Sequence, residues 1–184
     1  MRKNNLTGFI FTIDNFWSAE RCNDFIATSE AIGYEPATVE TEKGQRVIET
    51  VRNNNRIIHT DFLLADQLWE QLKPYAPDKI GNSQAIGLNE RFRFYKYQPG
   101  QQFRRHRDQS FIRNEVEASY YTFMIYVNDD YEGGETTFND LPIQPQQGMA
   151  LVFKHDLEHA GNAVTKGIKY VLRTDIMFRL GETL

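Results

Sequence analysis

The sequence predicts an α+β domain whose C-terminal half is a double-sheet jelly roll, and three observations carry that prediction. Helical periodicity is confined to the first half of the chain. The last hundred residues read as about eight short strands separated by Gly-, Pro- or Asp-containing turns. The 9 Tyr and 13 Phe among 184 residues favour β-structure. The length is that of one domain with a continuous core, and 40% hydrophobic with 25% charged residues is ordinary for a globular chain.

In chain order, residues 8 to 17 read as a short strand leading into a helix over 18 to 32. Ser18 is its N-cap, Cys22, Phe25, Ile26 and Ile32 lie at helical spacing, and Gly33 is its stop. Residues 34 to 60 read as strands and turns. Their Arg52-Asn53-Asn54-Asn55-Arg56 run is a solvated turn or a donor-rich border of a substrate pocket. A second helix is expected over 61 to 75, with Asp61 as N-cap and Leu64, Leu68, Trp69 and Leu72 as its apolar stripe. Residues 1–87 thus form a helical support region with short strands, and 88–180 the jelly-roll catalytic core, within a single domain 1–184.

From Arg91 to Gln98 the chain alternates with period two, and Pro99-Gly100 turns it into a short strand over 103 to 108. Further strands are expected at 121 to 127, 135 to 138, 143 to 144, 149 to 153, around His159, and at 169 to 178. There is no internal repeat, low-complexity tract or linker.

The net charge of −4 gives no general attraction to nucleic acid or to an anionic membrane. Arg91, Arg93, Arg104, Arg105, Arg107 and Arg113 cluster locally, either as solvated strand faces or as a positive rim for an acidic cosubstrate or substrate. Cys22 is the sole cysteine, so no intrachain disulfide forms. With no signal peptide and no membrane-length apolar run, a cytoplasmic protein is expected.

His106 and Asp108, on one side of an extended segment, can share a metal ion if His159 is brought across to them. His155 is a rival for that third place, and His59 reads as an ordinary strand or loop histidine. By parity Lys169, Val171, Arg173, Asp175, Met177 and Arg179 share one strand face. Cations on an inward face need something negative to meet them, in part Asp175 and better a bound dicarboxylate. Asp129, Asp130, Glu132 and Glu135 read as a solvated hairpin turn around Gly133-Gly134. Tyr95, Tyr120 and Tyr121 read as packing residues.

The succession Tyr97-x-Pro-Gly-x-x-Phe103-x-x-His106-x-Asp108, Ile125-Tyr126-Val127-Asn128-Asp129, Glu132-Gly-Gly-Glu-Thr136, then His159 and Val164-Thr-x-Gly167-x-Lys169-Tyr170 resembles the prolyl 4-hydroxylase-like group of 2-oxoglutarate and Fe(II)-dependent dioxygenases. The resemblance covers about residues 88 to 179. It implies a double-stranded β-helix (jelly roll) with N-terminal helices packed on one sheet. It further implies His106, Asp108 and His159 as iron ligands, Lys169 opposite the distal carboxylate of 2-oxoglutarate, Tyr126 on that same carboxylate, and Tyr97 near the cosubstrate's other end. Arg173, with Arg179 after it, also resembles the paired arginines of the nucleic-acid demethylase branch, which makes Arg173 the second candidate for the distal carboxylate.

The implied activity is hydroxylation of an unactivated C–H bond with O2 as oxidant and release of succinate and CO2, with ascorbate as an allowed accessory reductant. The family-level substrate is a peptidyl proline, and a free amino acid or other small molecule is the alternative. Outside that activity stand a metal enzyme of the same barrel that does not use 2-oxoglutarate and a catalytically silent binding or sensing module. Substrate identity is expected to reside around Arg52 to Arg56 and in the loop from Gln109 to Ala118.

Overall fold

The computed structural model describes residues 1–42 and 44–181. The first half comprises β1 (Arg2–Asn5), β2 (Ile10–Asp14), α1 (Ala19–Ile32), β3 (Glu35–Pro36), β4 (Val39–Thr41), β5 (Gly44–Arg46), β6 (Asn55–Thr60), α2 (Phe62–Leu72), β7 (Lys79–Ile80) and β8 (Ser83–Leu88). The second half is all strand: β9 (Arg91–Tyr97), β10 (Phe103–His106), β11 (Glu117–Tyr126), β12 (Glu132–Gly133), β13 (Thr136–Phe138), β14 (Leu141–Ile143), β15 (Ala150–Lys154), β16 (His159–Gly161), β17 (Val164–Lys166) and β18 (Lys169–Leu180).

Both helices start where capping chemistry dictates. The Ser18 hydroxyl accepts the Arg21 amide at 3.2 Å, and Asp61 Oδ1 accepts the Leu64 amide at 2.9 Å, each satisfying a first-turn donor that has no partner within its helix. Gly33, at φ +90°, ends α1 and returns its N–H to the Ser29 carbonyl. The second helix stops at Leu72, short of the expected residue 75, and Tyr75 and Ala76 close it by bonding to the Leu72 carbonyl.

The larger sheet has ten antiparallel strands among the described residues, in the order β1-β2-β15-β11-β18-β9-β6-β3, with β8 against the far end of β18 and β7 against β8. The smaller sheet runs β10-β16-β13-β14 and faces it. This is the jelly roll expected from the sequence. Strand alternation divides the large sheet's side chains between two cores. Phe92 and Phe94 of β9, Phe123 and Ile125 of β11, and Leu172, Ile176 and Phe178 of β18 pack with the helices' Cys22, Phe25, Ala65, Leu68 and Leu72. The opposite face gives Tyr95, Tyr97, Met124, Tyr126, Leu151, Phe153 and Val171 to the space between the sheets.

Where α1 meets the barrel, the Trp17 amide donates to the Gly148 carbonyl at 3.0 Å. Gly148 has φ +77°, and a Cβ there would collide with the Trp17 carbonyl. Gly148→Ala is therefore expected to cost about 2 kcal/mol or more through backbone strain and displacement of the Trp17 turn, read as a lowered urea midpoint. An unchanged midpoint would show that this approach is not tight in solution.

Candidate active site

His106 and His159 are direct cross-strand partners of β10 and β16, so their rings are neighbours on one face, with centroids 4.3 Å apart. Asp108 reaches them differently from the expectation of one strand over 103 to 108. That strand ends at His106, and Asp108 lies two residues beyond it. Its position is set from the opposite sheet: Thr122 Oγ1 donates to Asp108 Oδ2 at 2.5 Å and Arg173 Nη2 lies 3.0 Å from the same oxygen. The carboxylate sits 3.6 Å from His106 Nε2 and 3.8 Å from His159 Nε2. Donor atoms of all three residues fall within 4.8 Å of one another, and among the described residues no other such cluster occurs.

The chemistry of this donor set fits a divalent iron. His106 Nδ1 is 2.7 Å from the Arg104 carbonyl, and His159 Nδ1 is 3.0 Å from the Leu157 carbonyl. A carbonyl oxygen only accepts, so each Nδ1 carries the proton and each Nε2 presents a lone pair to the shared space. Burial pushes the His159 imidazole down to about 4 against the pull of Asp108, keeping it neutral at pH 7. Burial would raise the Asp108 carboxyl, but the Arg173 guanidinium beside it outweighs burial and the group lies well below the usual carboxylate range. Two neutral imidazoles and one carboxylate are the donors of a non-haem Fe(II) centre.

Inward from these donors a cavity is lined by Tyr97, Thr136, Lys169 and Arg173. Lys169 opposes Tyr97 in register and is 3% exposed. Its ammonium donates to the Gly134 carbonyl at 2.6 Å and lies 5.3 Å and 5.4 Å from the ring centroids of Tyr97 and Tyr126. Among the described residues no carboxylate comes within ion-pair distance of it, and burial lowers its pKa to about 8 although Glu135 pulls the other way. Tyr126 Oη donates to Thr136 Oγ1 at 2.7 Å. Arg173 is the opposite case: Asp108 at 3.0 Å and Asp175 at 3.1 Å already meet its charge. Asp175 also takes Arg93 at 3.3 Å and lies 3.5 Å from His155 Nε2, so His155 belongs to this buried ionic chain and stands apart from the donor cluster.

In sequence, residues 92–174 match the family model of the 2OG-Fe(II) oxygenase superfamily. This segment belongs to the 2OG-Fe(II) oxygenase superfamily. No curated protein matches it in sequence. In structure it is similar to three solved prolyl hydroxylases. The 2-oxoglutarate complex of a viral collagen prolyl hydroxylase from Paramecium Bursaria Chlorella virus-1 is 20% identical with a TM-score of 0.66, over 92% of this chain and 96% of that one. A Pseudomonas putida prolyl-4-hydroxylase is 19% identical with a TM-score of 0.68, over 92% and 93%. A Trichoplax adhaerens prolyl hydroxylase in complex with a hypoxia inducible factor oxygen degradation domain peptide fragment is 14% identical with a TM-score of 0.71, over 92% and 84%. The protein therefore has the prolyl-hydroxylase fold, and the family match together with the His106, Asp108 and His159 cluster supports Fe(II) and 2-oxoglutarate, with O2 implied.

The remaining candidates fall outside the cluster. His59 is half exposed, 3.9 Å from Asp61. Tyr120 and Tyr121 pack against Phe178. In the acidic turn, Asp129 accepts the Gln147 amide and Asp130 accepts from Asn128. Arg179 lies near the exposed end of β18, where it pairs with Glu117 opposite it in register and stays out of the cavity. Sequence reasoning gave Thr122 no role in the site; a single inward threonine on an apolar strand carries no distinguishing signal.

Among the described residues no helix is long and apolar enough to cross a membrane.

Proposed function

We propose that the oxygenase hydroxylates an unactivated C–H bond of a peptide, with a prolyl residue as the first target to test, and releases succinate and CO2. The observation that carries this reading is the continuity of one cavity from the His106, Asp108 and His159 donors to the buried, uncompensated cation of Lys169. The three donors would hold iron, and Lys169 would receive the distal carboxylate of 2-oxoglutarate. When bound, iron and 2-oxoglutarate supply the activation of dioxygen, with decarboxylation balancing the oxidation.

The chain's own residues do the positioning. Arg173 and Thr122 hold the Asp108 carboxylate ionised and aimed at the two Nε2 atoms. Phe103, stacked on His106 at 3.5 Å, and Phe153, 4.6 Å from the His159 ring, wall the donors from water. Residues 1–87 support the sheet and 88–180 carry the site, as one domain. A cytoplasmic setting suits the lone, buried Cys22, whose thiol burial pushes up to about 11, away from reactivity.

The test is succinate formation from 2-oxoglutarate, Fe(II) and a panel of prolyl peptides, with mass detection of product. Wild type is expected to couple succinate to a hydroxylated peptide, and His106→Ala and His159→Ala to lose both by about a hundredfold or more. Undiminished turnover in both variants would sink the ligand assignment. Hydroxylation of free amino acids alone would move the substrate out of the peptide class.

A further inference from the structure

We propose that the substrate presents a carboxylate, as an acidic peptide segment, and that Arg52, Arg56 and Arg91 receive it in the groove beside His106 and Asp108. This rests on the function proposed above and specifies its substrate. The groove, of about 380 Å³, opens outward from the donor cluster and is a different space from the cavity that holds Lys169.

Among the described residues, six arginines line this groove and the sole acidic residue in its walls is Asp108. Two of the six are already neutralised, Arg173 by Asp108 and Asp175, and Arg93 by Asp175. Arg107 is exposed to solvent. Among the residues whose side chains are described, Arg52, Arg56 and Arg91 have no carboxylate within ion-pair distance.

Arg52 makes the strongest case. It is 4% exposed; its Nε donates to Asn54 Oδ1 at 2.6 Å, and its Nη2 is buried with no partner. The guanidinium lies between Tyr95, 4.3 Å from the ring centroid, and Phe103, at 4.5 Å, and the Phe103 ring stacks on His106. A buried guanidinium whose Nη2 has no hydrogen-bond partner, fixed by stacking one ring away from a metal-ligand candidate, is a costly arrangement until an anion arrives. Arg56 is held by neutral acceptors, the Thr38 carbonyl and hydroxyl and Gln45 Oε1, which orient it without meeting its charge.

The uncompensated field is visible in its neighbours. The Arg56 pKa is lowered by burial and then by the charges of Arg52, Arg93 and Arg91. Burial would raise the Tyr95 phenol, yet Arg52, Arg173 and Arg93 draw it down to about 8. The planar fork of arginine matches a carboxylate in bidentate geometry. A single-stranded nucleic acid would supply anions too, but it needs free ring faces for its bases. Here Tyr95 and Phe103 are already covered by Arg52, Phe103 is covered on its other side by His106, and the chain as a whole carries −4.

The test uses fluorescence anisotropy on the full chain loaded with Mn(II) and 2-oxoglutarate, which binds without turnover. The probes are fluorescein-labelled Glu-Glu-Pro-Glu-Glu, its Gln counterpart and an oligothymidylate of equal charge. The acidic peptide is expected to bind about tenfold or more tightly than the Gln peptide, and Arg52→Gln or Arg91→Gln to reduce that preference to about threefold or less. Arg91 is half-buried on a strand, so its variant keeps the test alive should the Arg52 variant misfold. Arg113→Gln, whose arginine pairs with Glu90 and Glu117 away from the groove, is expected to keep the preference.

Equal binding of the two peptides, a preference that survives Arg91→Gln in a folded protein, or tighter binding of the oligonucleotide would overturn the proposal. A parallel anaerobic titration of the wild type with Fe(II) and 2-oxoglutarate separates the two readings. A formed complex without acidic preference defeats this inference alone, and the absence of any complex defeats both.

Discussion

Asp108→Asn is expected to abolish tight metal binding and to lower the stability of the metal-free protein by about 3 kcal/mol. The substitution keeps the side chain's shape and its reach to Thr122, so the two losses come from charge. The metal loses its only anionic donor in the cluster, which costs more than the ten- to hundredfold typical of outer-shell changes. Arg173 loses one of its two counter-ions while remaining buried, and keeps Asp175 at 3.1 Å, which holds the penalty to the lower end for a broken buried pair. Mn(II) binding followed by electron paramagnetic resonance and a urea melt read the two effects separately. A metal affinity within about threefold of wild type would remove Asp108 from the ligand set.

Lys169→Met should act in opposite directions on stability and on cosubstrate binding. The ammonium is fully buried with its pKa drawn from 10.5 to about 8, so between those values the unfolded chain holds more protons than the folded one, and stability rises with pH. Below about pH 8 the folded protein carries the whole penalty of the buried charge. Methionine removes it, loses the bond to the Gly134 carbonyl, and is expected to gain about 1 to 2 kcal/mol at pH 7. Affinity for 2-oxoglutarate should fall roughly tenfold to a hundredfold, because a charge-assisted contact to its distal carboxylate is gone. In wild type that contact needs the protonated amine, so affinity should decline as pH rises through about 8, and the Met variant should lose this dependence. Arg173→Ala that weakens 2-oxoglutarate while Lys169→Met does not would reverse the assignment of the two basic residues.

The parts legible in the sequence were those written in short-range chemistry. Ser18, Gly33 and Asp61 mark helix ends through capping, and the alternation of Phe92 and Phe94 with Tyr95 and Tyr97 divides β9 between the two cores. His106, Asp108 and His159 were grouped as candidates by motif, and the fold brings their donors together. What was hidden depends on partners distant in sequence. Asp108 is placed by Thr122 and Arg173 rather than by strand alternation. Whether Lys169 or Arg173 is the free cation turns on which of them finds carboxylates in space. Arg52 could be read as a donor beside a pocket, but its stacking on Phe103, 51 residues away, could not. The Arg2–Asn5 strand, entirely polar, has no pattern of its own and exists because β2 pairs with it.

The long last strand, Lys169–Leu180, joins two kinds of requirement in one stretch of backbone. Lys169, Arg173 and Asp175 supply the charged interior, while Tyr170, Leu172, Ile176 and Phe178 hold the helices to the sheet. A slip of one residue in its pairing would carry Leu172 to where the arginine now meets Asp108 and turn a guanidinium into the helix-facing core. Misregistered pairing would thus forfeit the hydrophobic support and the ionic chain together. The strand's two sides proofread its alignment, and a chain that has closed this barrel in register has its chemical groups in place by the same event.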